Sequence, residues 1–507
     1  KVPVAADNLN LFSAVKGALL YSKAGAGFYG RDSYQKVALY VYDLKKREES
    51  ELASDVQGYA PSDDGQKVLV RQGPTAFNLL EAKKGGEKDK KTVSTKGLMV
   101  DRVPAQEWAT VFDEVWRRYR DFFYVRNMHG YDWKAIGDRY RALLPSVSHR
   151  SDLTNVLHEM ISELNIGHAY IEHVDNDVPA RVKVGLPGAR FALDPAARRF
   201  KVAKIFRGHN EEDRYRSPLT EVGVDVKEGD YVLAIDGQEL AGDDNPYRLL
   251  RNKTEAITLT VNGRPTLEGA RRVQYKPLDN EENLLYLDWI LTTRATVAKA
   301  TNGRVAYLHV PDMGAPGIYE FIKWYYGQIR SEGLIVDVRS NGGGNVSPWI
   351  LERLDTKLLG TRFGYASEFP TTYPQTVFNG PMVALVNETS ASDGDIFSHY
   401  FRKAGLGPLI GKRTWGGVVG ISGRGPLLDG GVVSVPLNAT NDENGNYIIE
   451  GDGVTPDIEV DNDPASVIAG KDPQLERGIQ EVLKAMAAHP RSLPKKPADP
   501  VKTAPRP

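Results

Sequence analysis

Residues 383–397 read VALVNETSASDGDIF, and the fold turns on how they are parsed. Val383 to Val386 is a short apolar run, stopped by Asn387 and Glu388. Small and polar residues follow, Thr389-Ser390-Ala391-Ser392-Asp393-Gly394-Asp395. Ile396, Phe397, Tyr400 and Phe401 then recur at helical spacing. The pattern predicts a buried strand, a tight polar turn and an amphipathic helix. A serine in that turn has two readings. It caps the helix, as Ser and Asp commonly do. Or it is a nucleophile placed where backbone N–H groups and the helix dipole can stabilise an oxyanion.

Working outward, Leu334–Val338 is a second buried strand, and it runs into Arg339-Ser340-Asn341-Gly342-Gly343-Gly344. Val305–Val310 predicts a third strand and Ile318–Ile329 a helix. Alternating strands and helices imply an α/β domain with a largely parallel sheet, whose function sits at the carboxyl ends of the strands. The triple glycine and Ser392 both fall at such ends. The glycines lack the spacing and the following Lys-Ser/Thr of a nucleotide loop, so their freed N–H groups suit an oxyanion better, or form a plain turn.

Upstream the texture changes three times. Short strands over residues 1–100 (Ala18–Ser22, Val37–Asp43, Lys67–Arg71, Ala76–Glu81) suggest propeller blades too few to close, a β-propeller remnant followed by a charged linker, Lys83–Lys96. Residues 101–177 read as helical, with Trp108, Val111, Phe112, Val115, Trp116, Tyr119, Phe122 and Phe123 in one stripe after Pro104. Further helices are expected at Asp132–Leu144 and Ser151–Leu164, and Leu164–Ile171 carries His168 where helix gives way to strand. Residues 178–278 return to short strands. Val226–Gly237 and Gly185–Phe191 resemble PDZ domains, the latter where such domains hold a peptide carboxylate. The α/β domain covers 279–470, and 471–507 is expected to be a closing helix over 470–488 and a disordered tail.

The 507 residues are 41% hydrophobic and 26% charged, with net charge −1 and no cysteine. This excludes thiol nucleophiles, disulfides and thiolate metal sites, and gives no sign of nucleic-acid binding. No apolar run reaches the length of a membrane span. The opening Lys-Val-Pro leads us to expect a missing leader or upstream region. A serine nucleophile needs a base, and the histidines are His129, His149, His158, His168, His173, His209, His309, His399 and His489. Spacing does not choose among them, although His399 lies two helical turns past Ser392. Glu450 is one of many carboxylates that could orient a base. No histidine pair has metal-ligand spacing, so neither metal nor cofactor is expected.

Several motifs in order resemble the tricorn protease family, within the tail-specific and carboxyl-terminal processing proteases. They are Gly167-His168-Ala169-Tyr170, Ser217-Pro218-Leu219-Thr220, Val226–Gly237, Asp337–Gly344, Ser392-Asp393-Gly394-Asp395, Gly411–Gly417 and Gly451–Pro456. The resemblance implies a serine peptidase in which Ser392 is nucleophile, His168 general base and Glu450 the supporting carboxylate. It implies an oxyanion site at the N–H groups of Gly344 (or Gly343) and Asp393, with Gly343, Gly417 and Ile421 contacting substrate. It further implies peptide substrates, a homo-oligomer, and a cytoplasmic setting, or a periplasmic one if a leader has been removed. Two departures stand out. The family's hydroxyl before the histidine is here Gly167, which weakens the relay unless Thr389, Ser390, Thr414, Tyr170 or a water replaces it. The acidic residue that selects basic side chains has no counterpart in Arg362-Phe363-Gly364-Tyr365, so apolar or mixed residues are expected before the cut. The alternatives are a weak or inactive binding protein, as in the retinoid-binding relatives, and a scaffold whose PDZ module docks partner tails.

Overall fold

The computed structural model describes residues 2–25, 35–172, 179, 181–366, 369–491 and 493–503. His173 and the 177/178 division lie outside the described residues.

The molecule is multidomain and mixes β and α/β architecture. Its first hundred residues form two four-stranded antiparallel meanders, the unit from which propellers are built. One contains Leu9–Val15, Ala18–Lys23, Ala38–Asp43 and Glu48–Ala53; the other Gly58–Pro61, Lys67–Arg71, Phe77–Glu81 and Lys91–Val93. Leu20, Leu39, Val41, Val68, Val70 and Leu80 share one core across both. The expected linker Lys83–Lys96 therefore supplies a strand of the second meander. It was masked by its charge, since all three residues of that strand are exposed.

Helix Pro104–Phe122 starts on a proline that needs no N–H partner and buries Val111, Phe112, Val115 and Tyr119. Two further helices, Trp133–Arg141 and Arg150–Ser162, pack with it. The third begins at Arg150, one residue before the expected Ser151, because His149 caps it and Asp152 closes a capping box. This core is completed from far along the chain, by Leu427, Val433 and Val435 of the hairpin Gly420–Pro426 and Val432–Asn438. Strand Tyr170–Glu172 adds to that hairpin, pairing Tyr170 with Ser434. The buried ion pair of Arg150 and Asp429 ties the same two regions.

The PDZ-type module is a six-stranded antiparallel sheet, with Ala189–Asp194 on its edge. The α/β part holds a wholly parallel five-stranded sheet. Its order is Val305–His309, Gly333–Asp337, Met382–Val386, Leu409–Gly411 and Ile458–Glu459. Alternation along each strand feeds two cores. Leu334, Val336, Ala384 and Val386 face helices Ala315–Tyr325, Ser347–Leu354 and Asp393–Lys403. Ile335, Val383 and Leu385 face Glu282–Thr301 and Pro473–Ala488. Helix Glu282–Thr301 escaped the sequence reading because its apolar residues do not keep to one face. The closing segment is two helices, Pro464–Ile468 and Pro473–Ala488, the second restarted by the Asp472 cap. Among the described residues, no helix is long and apolar enough to cross a membrane.

Candidate active site

Strand Met382–Val386 is buried throughout and ends where Asn387 turns the chain. Ser392 sits at the N-cap position of helix Asp393–Lys403, yet its side chain makes no capping hydrogen bond. Its backbone has φ 56 and ψ −119, a conformation that costs a serine on the order of 1–3 kcal/mol. The surroundings hold it there. Ala391 N–H donates to the Asn341 carbonyl at 2.8 Å, and Ser340 N–H donates to Asn387 Oδ1 at 2.8 Å. The Ser390 hydroxyl donates to the Val338 carbonyl at 2.8 Å. Capping therefore does not account for Ser392.

The glycine loop lies directly against this turn. A Cβ on Gly343, where φ is +90, would stand 2.5 Å from Ser392 Cβ and 2.8 Å from the Ala391 carbonyl oxygen. A Cβ on Gly344 would stand 2.0 Å from the Met313 carbonyl oxygen. Both positions exclude any side chain. Gly343 N–H is spent on Asn341 Oδ1 at 2.9 Å. Among the described residues, the N–H groups of Gly344 and Asp393 have no acceptor, the second being an ordinary orphan of a helix's first turn. Of the two glycines offered as oxyanion donors, Gly344 is the one left free.

His168 lies between helix Arg150–Ser162 and strand Tyr170–Glu172. Its Nδ1 is 2.6 Å from the Val419 carbonyl oxygen. A carbonyl only accepts, so Nδ1 carries the proton and Nε2 has the lone pair of a base. Glu450 does not touch the ring. Its Oε2 accepts from the N–H groups of Val418 (2.7 Å) and Val419 (3.0 Å), and its Oε1 is 3.5 Å from Gly167 N. The carboxylate thus supports the histidine through the backbone of Val419, whose N–H it holds and whose carbonyl meets the ring. The hydroxyls proposed as substitutes at Gly167 are not used in this way. Thr389 bonds Ser340 and Asn387, Ser390 bonds Val338 and Asn387, and Thr414 accepts from Val454 N–H. Tyr170 meets His168 only edge to face, with ring centroids 5.6 Å apart.

Loop 414–419 joins the two halves of the site. Trp415 N–H donates to the Ser390 carbonyl at 3.0 Å, and Gly416 N–H to Asp395 Oδ1 at 2.9 Å. The Trp415 ring meets His168 edge to face at 5.7 Å. Gly417 is buried beneath that ring, where a Cβ would be 2.2 Å from it. The surface expected from Gly417 is therefore offered by Trp415, which is 38% exposed. Ile421, half-buried, follows on strand Gly420–Pro426.

Two buried carboxylates back the helix of Ser392. Asp393 accepts from Ser347 N–H (2.9 Å) and from its hydroxyl (2.5 Å), and burial raises its pKa. Asp395 is raised to about 6 by burial, partly offset by hydrogen bonds from Thr414 and Gly416. Most other described histidines are engaged elsewhere. His129 bonds Leu164 and Tyr124, His149 caps a helix, His158 bonds Ile171, His209 bonds Lys323 and His309 bonds Tyr286 and Arg339. Burial, with Lys403 and Arg402 nearby, lowers the pKa of His399. His489 is the residue after the closing helix.

Ligand atoms of His209, Glu211 and Glu212 lie within 4.8 Å of one another. The Lys323 ammonium already bonds His209 Nδ1 (2.9 Å) and Glu212 Oε1 (2.5 Å), which leaves no room for a cation.

Three family models match the chain: the tricorn protease C1 domain over residues 104–162, the tricorn protease PDZ domain over 185–280, and peptidase family S41 over 304–460. The chain carries, in order, the C1, PDZ and S41 domains of the tricorn type. Tricorn protease homolog 1 of Streptomyces coelicolor is 35% identical over 459 residues, 89% of this chain and 42% of that protein. The tricorn protease of Thermoplasma acidophilum is 33% identical over 477 residues, 93% and 43% respectively. A crystal structure of the tricorn protease superposes with TM-score 0.86 at 30% identity, covering 96% of this chain and 47% of that one. This tricorn-type chain spans less than half the length of these relatives.

What the sequence did not disclose in this tricorn-type site is mostly backbone. The Val419 carbonyl leaves no signal, because every residue has one. Trp415 lay inside the Gly-rich loop Thr414–Ile421, which was read as pocket-lining through Gly417 and Ile421 and not through this ring. Asn341, whose amide oxygen takes the Gly343 N–H, stood in the glycine loop and was read only as part of a turn.

Proposed function

We propose that this tricorn-type chain is a serine peptidase that cleaves peptides at Ser392. Ser392 Oγ attacks the carbonyl carbon while His168 Nε2 takes the hydroxyl proton. The Val419 carbonyl, fixed by Glu450, stabilises the imidazolium that forms. The oxyanion is received by the N–H groups of Gly344 and Asp393 at the helix N-terminus, each worth roughly 10²–10³ in rate at such sites. His168 returns the proton to the leaving amine. A water then attacks the acyl-enzyme, giving its proton to His168, and Ser392 is regenerated.

The observation that carries this reading is the strained, uncapped Ser392 beside two N–H groups with no acceptor among the described residues. A serine that served only the fold would use its hydroxyl as a cap. We assign the division 1–100, 101–177, 178–278, 279–470 and 471–507, with the base supplied by the helical part. We assign a preference for apolar or mixed residues before the cut, supported by the partly exposed Trp415 ring beside His168. Homo-oligomerisation and a cytoplasmic setting rest on the family alone. A fluorophosphonate probe tests the active serine. It is expected to label Ser392, mapped by mass spectrometry, and to do so far more slowly in His168→Ala. Absence of label on Ser392 in the native chain contradicts the assignment.

A further inference from the structure

The turn Leu186-Pro187-Gly188-Ala189 leads into the edge strand Ala189–Asp194 of the PDZ-type module. Backbone N–H groups in a turn of this kind form a cradle for a peptide's terminal carboxylate. Here a carboxylate of the chain itself lies in it. Gly188 N–H donates to Glu281 Oε1 at 2.8 Å, and Arg190 Nη1 donates to Oε2 at 2.6 Å. Glu281 is 7% exposed. The three positions before Gly188 offer no free donor either. Pro187 has no N–H, Leu186 N–H goes to the Leu278 carbonyl (2.9 Å) and Gly185 N–H to the Leu250 carbonyl (2.9 Å).

Glu281 immediately precedes helix Glu282–Thr301, which carries the α/β sheet on its face. Leu284 of that helix presses on the cradle, since a Cβ on Gly188 would be 3.1 Å from Leu284 Cδ1. Lys204 pairs with Asp288 at 2.6 Å one turn further on. We propose that Glu281 is a built-in ligand of the PDZ carboxylate cradle, so that the module is a fixed clasp on helix 282–301 and does not receive peptide C-termini. Two charge-assisted hydrogen bonds hold the occupant. Being tethered, it competes at an effective concentration on the order of millimolar or more, above what a free peptide reaches.

The test uses the full chain carrying Ser392→Ala, so that probes are not cut. Fluorescent peptides with random C-terminal residues are compared as free acids and as carboxamides, and hydrogen–deuterium exchange is followed over residues 185–191. The Ser392→Ala chain is expected to bind acids and amides alike, with exchange in 185–191 unchanged by peptide. Adding Glu281→Ala frees Gly188 N–H and Arg190, and is expected to favour acids by about tenfold or more, with slowed exchange at 185–191. Glu281→Gln retains an acceptor oxygen and is expected to behave like the parent. Acid-selective binding with slowed exchange at 185–191 in the parent overturns the proposal and needs no Glu281 variant to fold. No gain in a folded Glu281→Ala chain also overturns it.

Discussion

Removing the Glu450 carboxylate is the sharpest perturbation of the catalytic account, because Glu450 is argued to act on His168 without touching it. In Glu450→Ala the N–H groups of Val418 and Val419 lose their acceptor, on residues 3% and 0% exposed. An unsatisfied buried N–H costs about 1–3 kcal/mol, so two cost roughly 2–6 kcal/mol if the loop stays in place. The loop can relieve this by turning the peptide groups towards water, and the Val419 carbonyl then leaves His168 Nδ1. The expected loss is about 10²–10³ in kcat/KM, or roughly 3–4 kcal/mol, carried mainly by kcat because the ring is misaligned in the transition state. Glu450→Gln retains one acceptor oxygen and loses the charge, with an expected loss of about tenfold. The assay is steady-state hydrolysis of an internally quenched peptide, with circular dichroism confirming the fold. Wild-type kcat in Glu450→Ala refutes the backbone relay. Equal loss in the Ala and Gln variants indicates that the charge alone matters, which also refutes it.

Three further predictions concern neighbouring groups. Gly167→Ser meets nothing closer than Gly417 Cα at 3.8 Å and places a hydroxyl beside Glu450, so kcat/KM is expected to rise about tenfold; an unchanged or lower value in stopped-time assays contradicts this. Gly343→Ala forces a methyl to 2.5 Å from Ser392 Cβ, and initial-rate assays are expected to show a fall in kcat of about 10²-fold or more, whereas near-native turnover counts against the packing described. Asp395 has its folded pKa raised by burial to about 6 from 3.8, so the folded state binds the proton more tightly. Its contribution is present below pH 4 and is lost as pH rises to 6, by up to about 3 kcal/mol. Urea denaturation from pH 4 to 7 is expected to show Asp395→Asn gaining on the wild type over that window; a constant difference contradicts it.

The buried strands and the turn after Val386 were legible because their side chains alternate between uniformly apolar runs and small polar residues. Ser392 could be placed at a strand end from pattern alone, but pattern could not separate a cap from a nucleophile. That distinction lies in the positive φ and the unused hydroxyl, which depend on the Asn341 and Asn387 contacts made across the sheet. His168 was not selectable by spacing, since it reaches the site through a strand that pairs with residues 432–434 more than 250 positions away. Helix Glu282–Thr301 and strand Lys91–Val93 were missed for opposite reasons, the first being apolar on several faces and the second exposed along its length. The PDZ signature was readable, whereas its occupation by Glu281 was not, because that contact joins two regions of the chain that carry no common pattern.

The most direct test of the central claim is turnover of a mixed peptide library by the native chain and by Ser392→Ala, read by mass spectrometry. The account predicts cleavage by the native chain, concentrated after apolar or mixed residues, and its loss in Ser392→Ala. Undiminished cleavage by the Ser392→Ala chain would contradict it.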